Sequence, residues 1–76
     1  MQDKIFYNEA SAKSLGWEPS WLGAKEFDDS LIRKIRAFQR SHGLKADGLL
    51  GPSTYRRLVA QREAEEEYES SVEIGE

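Results

Sequence analysis

The chain has no cysteine and a single histidine, His42. The first absence excludes a disulfide framework and a thiolate metal site. The second leaves too little for a zinc site built from protein ligands alone, and little for a charge-assisted catalytic triad. No apolar run approaches the roughly 18 residues that a membrane-spanning helix needs. The opening residues, MQDKIFYNEA, lack a basic segment followed by an apolar one, so a secretory signal is not expected. Across 76 residues, apolar side chains make up 38% and charged ones 33%. That allows one small domain, in the size range where a single core is feasible but marginal.

The charge that is present is unevenly placed. The net value of −3 combines three unlike blocks. Residues 1–29 are acidic on balance. Residues 30–62 carry Arg33, Lys34, Arg36, Arg40, Lys45, Arg56, Arg57 and Arg62 against Asp47 alone. Residues 63–76 carry glutamates and no base. A basic middle can face an anionic polymer, and an acidic end can serve as a solvated tail or as a counterweight within the molecule.

Three helical segments are readable. Asn8 to Leu15 reads as the first, with Asn8 in the capping position, Glu9 at the positive helix end and Gly16 as the stop. The stretch WEPSWLGAKEFDD is broken by Pro19 and Gly23 and reads as a loop with one helical turn at most. Its Trp17, Trp21, Leu22 and Phe27 need a core to pack against. Ser30 to Ser41 is the clearest helix. Asp28, Asp29 and Ser30 supply caps at its start, and Leu31, Ile35 and Phe38 form one apolar stripe with Ile32 beside it. Gly43 stands where a left-handed C-terminal residue is wanted, and Leu44 can fold back on the helix end. His42 in the last turn suits a capping role. Pro52 opens the last helix, whose buried stripe is expected to be Tyr55, Leu58, Val59 and the stem of Arg62. That helix is expected to fray before Ser70, leaving 1–69 as the domain and 70–76 as a disordered acidic linker or tail. The turn-and-helix pattern of Phe27-Asp28-Asp29-Ser30-Leu31 with Ile35 echoes Leu50-Gly51-Pro52-Ser53-Thr54 with Leu58, which fits two similar loop–helix units.

The glycine-rich stretch HGLKADGLLGPSTY, His42 to Tyr55, separates the second and third helices and admits several readings. A DNA-reading helix-turn-helix joins its helices with about 3–4 residues, fewer than stand here, and the glutamate tail opposes a phosphate backbone. A phosphate loop needs Gly-Lys-Ser/Thr at the end of its glycine run, and GLLGPST has no lysine there. A calcium loop needs several oxygen ligands at alternate positions, and Asp47 is alone. A structural corner fits: Gly43 ends one helix, Asp47-Gly48 makes a tight turn, Gly51-Pro52 launches the next helix, and Leu44, Leu49 and Leu50 hook the loop to the core. In that reading Asp47 caps the turn and Gln39 hydrogen-bonds the loop backbone.

Ile35, Phe38-Gln39, Gly43-Leu44, Asp47-Gly48, Gly51-Pro52, Thr54 and Leu58 together resemble, in kind and spacing, the second half of the peptidoglycan-binding domain family of cell-wall hydrolases. Leu15-Gly16-Trp17 and Phe27-Asp28 resemble parts of the first half. Ala24-Lys25, Leu31 and Lys34 depart from it, and WEPSWLGAKE has no counterpart. The resemblance implies an all-α, small three-helix bundle with a Gly-rich loop between the second and third helices. It implies a module that binds bacterial peptidoglycan without cofactor, metal or catalytic chemistry of its own. Such a module is expected to be monomeric, to engage neither nucleic acid nor membrane, and to be covalently linked to a lytic catalytic domain. The expected location is the bacterial cell wall or periplasm, or the host cytoplasm before lysis if the protein is phage-encoded. The alternative is a protein-interaction module of the same fold that does not bind glycan. Candidate ligand contacts are Trp21 and Tyr55 for sugar faces, Arg56 for stem-peptide carboxylates, and Asp47 and Trp17, each with a competing structural role. They are expected to meet on a shallow surface between the Trp17–Trp21 loop and the start of the last helix.

Overall fold

A computed structural model describes residues 3–74, with side chains placed for residues 3–65. Three α-helices and one 3₁₀ turn occur among the described residues: α1 Lys4–Leu15, the turn Pro19–Leu22, α2 Asp29–Ser41 and α3 Pro52–Ile74. The all-α three-helix bundle expected from the sequence is therefore the fold.

α1 begins a full turn earlier than the pattern predicts. Its cap is Asp3, whose carboxylate accepts from the Phe6 backbone N–H at 3.1 Å. Asn8 is not a cap. It lies inside the helix, fully buried, and its amide is committed to the loop that precedes α3. α2 starts where Asp28 accepts from the Leu31 backbone N–H at 3.1 Å. It ends as expected, with Gly43 at φ 69° and the Leu44 N–H returning to the Gln39 carbonyl at 2.8 Å. His42 takes the C-capping position, and its ring does more than cap: it packs on Phe38 with centroids 4.2 Å apart and contacts Gln61 Oε1 at 3.0 Å, joining α2 to α3. α3 opens at Pro52, as expected, but its backbone stays helical to Ile74. The glutamates oppose the helix dipole only in a terminal turn, and Glu63, Glu65, Glu66 and Glu67 stand in mid-helix, where their propensity favours helix. The side chains of residues 70–76, and Gly75 and Glu76 altogether, lie outside the described residues.

Every segment contributes to one core: Ala12 from α1, Trp17 and Ala24 from the connection, Leu31 and Ile35 from α2, Leu50 from the loop and Leu58 from α3. Leu31, Ile35 and Leu50 have no exposed surface, and each such burial contributes about 1.5–3 kcal/mol. Phe38 and Leu44, expected in the core, are half-buried, Phe38 packing against the core's edge. Trp17 meets Phe27 edge-on, with ring centroids 5.8 Å apart. Its indole N–H donates to Ser11 Oγ at 3.0 Å, and Ser11 in turn donates to the Leu50 carbonyl.

Candidate functional site

The glycine-rich loop is held from both sides by two buried amides. Gln39, on α2, is 1% exposed. Its Oε1 accepts from the Gly48 N–H at 3.0 Å. Its Nε2 lies 3.0 Å from the Leu49 carbonyl, 3.0 Å from Thr54 Oγ1 and 3.1 Å from Asp47 Oδ1. Asn8, on α1, donates to the Gly48 carbonyl at 3.2 Å and accepts from the Leu50 N–H at 2.9 Å. Lys4 Nζ adds a bond to the Asp47 carbonyl at 2.6 Å. Among the described residues, no buried side-chain polar atom lacks a partner. The loop is thus a fixed scaffold, and it aims the first turn of α3 toward solvent beside α1.

Two open grooves meet there. One, about 250 Å³, is lined by the Tyr7–Ala10–Ser14 face of α1 together with Leu15 and Pro52. The other, about 430 Å³, runs along the loop past Lys45, Asp47, Ser53 and Thr54. Tyr7, Gly51 and Pro52 belong to both. Gly51 is packed so closely that a side chain there would approach the Tyr7 hydroxyl at 3.0 Å. Tyr7 sits at the junction, yet nothing in its sequence surroundings marks it, because its role depends on a loop more than forty residues away. A third groove, about 340 Å³, lies between α1 and the connection, with Glu9, Lys13, Glu18 and Pro19 at its edges and Trp17 at its base.

The sequence-selected contacts do not converge as expected. Trp17 is 2% exposed and spends its indole N–H on Ser11, so it is a core residue with no free face for a sugar. Trp21 is half-buried, and the Arg62 guanidinium lies over its ring at 4.0 Å. Arg62 is seven residues beyond Tyr55, about 10 Å along the helix axis, so Trp21 packs near the middle of α3 rather than at its start. Tyr55 is half-buried against the core. Arg56 is exposed and lines none of the three grooves. Asp47 lines the larger groove at the junction, although its Oδ1 is engaged by Gln39 and by the Leu49 N–H at 3.0 Å.

The Trp21–Arg62 contact has a measurable consequence. Arg62→Ala should cost about 1 kcal/mol, lowering Tm by about 4–8 °C and raising acrylamide quenching of the tryptophan emission. Unchanged quenching would show that the stack does not persist in solution.

A rigid loop, a helix end held against α1 and open grooves rimmed by hydroxyls and an aromatic ring define a small helical binding module. A model of the peptidoglycan binding domain family matches residues 13–58, more than half of the chain, and the chain belongs to that family. The domain is a non-catalytic binding module for cell-wall peptidoglycan. No curated protein and no solved structure matches the chain.

Proposed function

We propose that this chain holds a lytic enzyme on bacterial cell wall, and that it engages peptidoglycan at the paired grooves around Tyr7. Family membership supports attachment to the cell wall, and the junction of two grooves at a pre-organised loop supports the placement of the ligand. A rigid site loses little conformational freedom on binding. Even a weak contact keeps a tethered catalytic domain at high effective concentration beside an insoluble polymer with many equivalent bonds. In this reading Trp21, Tyr55 and Arg56 serve the fold and the surface rather than the ligand, while Asp47 shapes one wall of the site.

The test is co-sedimentation with purified sacculi. The 76-residue chain should pellet with them and release no soluble fragments. Tyr7→Ala should weaken pelleting about tenfold, the effect of losing roughly 1.4 kcal/mol of aromatic contact. Normal pelleting by Tyr7→Ala alongside loss in Trp21→Ala or Tyr55→Ala would place the ligand on the other face.

A further inference from the structure

We propose that the smaller groove takes an N-acetylated sugar of the glycan strand, not the charged stem peptide, with Phe6 at its rim as the stacking platform. This rests on the wall-binding reading and specifies which part of the polymer is recognised.

Three observations carry it. The first is Phe6, 68% exposed and the large hydrophobic side chain left open to solvent among the described residues. It stands one helical turn before Ala10 on the same edge of α1, and Ala10 lines the groove. An aromatic residue thus stands on the same edge of α1 as the exposed alanine that lines one side of the groove. The second is the absence of charge. No carboxylate, ammonium or guanidinium group lines this groove, whereas the adjoining one has Lys45 and Asp47 and the third has Glu9, Lys13 and Glu18. Stem peptides carry carboxylates and amines, and desolvating a charge without a partner is costly. An N-acetylhexosamine is neutral, with hydroxyls at its edge, an apolar ring face and an acetamido methyl.

The third observation is how the polar groups are distributed. Ser14 is exposed on the groove wall, and the Tyr7 hydroxyl sits where the two grooves meet. Both are neutral groups that can donate and accept, as sugar hydroxyls require. Leu15 and Pro52 supply apolar surface for ring carbons and the acetamido methyl. The volume of about 250 Å³ lies below the range of roughly 300–1,000 Å³ usual for drug-sized ligands, which suits one sugar unit of a chain that continues past both ends.

The decisive experiment measures pelleting with intact sacculi and titrates the amide NMR spectrum with glycan strands freed of stem peptides by an amidase and with chitotetraose. The chain should pellet with intact sacculi, and the freed glycan and chitotetraose should both shift the amides around Phe6, Ala10 and Ser14. Phe6→Ala should weaken binding to stripped glycan about five- to tenfold, Phe6→Trp should retain it, and Ala10→Trp, which puts a bulky ring in the groove, should abolish it. Both Phe6 and Ala10 are exposed, so circular-dichroism melts should be unchanged. Binding to intact sacculi without binding to stripped glycan or chitotetraose would overturn the sugar assignment and leave the wall-binding reading standing. So would Phe6→Ala and Ala10→Trp variants that bind stripped glycan like the parent. Failure to pellet with intact sacculi would overturn both.

Discussion

Gly48→Val should cost about 3–5 kcal/mol and lower Tm by more than 12 °C. Two separate penalties combine. Gly48 holds φ 78°, a backbone region that β-branched residues rarely enter, at a cost of about 1–3 kcal/mol. A Cβ at this position would also stand 2.9 Å from Ile32 Cγ2 and 3.3 Å from Arg36 Cγ on α2. Crowding of that kind costs about 1–3 kcal/mol. A domain of this size has about 4–11 kcal/mol in total, so the variant sits near the edge of folding. Gly48→Ala meets the same approach to Ile32 without the β-branch and should fall in between. A thermal melt for Gly48→Val within 3 °C of the parent would show that the turn does not need glycine.

Gln39→Leu should cost about 3 kcal/mol, although it replaces a polar core residue with an apolar one of similar size. The change leaves the buried Gly48 N–H and Thr54 hydroxyl without their partner and removes a donor from the Leu49 carbonyl. Each buried group left unpaired costs about 1–3 kcal/mol. Hydrogen exchange gives a sharper readout than the melt. The Gly48 amide should lose protection, while the Leu50 amide, held by Asn8 instead, should keep more of it. Equal protection at both positions would mean that the loop does not depend on Gln39.

The parts of this fold that show in the sequence are those whose causes are local. α2 carries its cap, its apolar stripe and its glycine stop within one short stretch, Asp28 to Gly43, and Pro52 marks the start of α3 by its own geometry. The roles of Gln39 and Asp47 were legible as turn chemistry because the residues they bond are close along the chain. α1 was harder, because its inward face holds Asn8 and Ala12, one polar and one small, so no apolar stripe announces it. An asparagine after a short apolar stretch looks like a helix cap, and only the loop some forty residues away shows that it is a buried clasp. The separation of the candidate contacts has the same cause. Trp17 and Trp21 are the conspicuous aromatics, but one fills the core and the other lies under Arg62, while the place of Tyr7 where two grooves meet depends on what α1 packs beside.

The clasp also separates two quantities that are easily equated: the span of family likeness and the span that must fold together. The matched residues begin at position 13. Asn8 and Ser11, which hold Leu50 from the other side, come before it, and so does Lys4, which holds the Asp47 carbonyl. A fragment trimmed to the matched span would keep the whole glycine-rich signature and lose one of the two walls that give it shape. Its Gly48 carbonyl and Leu50 amide would open to water, and its sequence would still be assigned to the family. For anyone grafting this module onto another enzyme, the unit to move starts no later than Asp3.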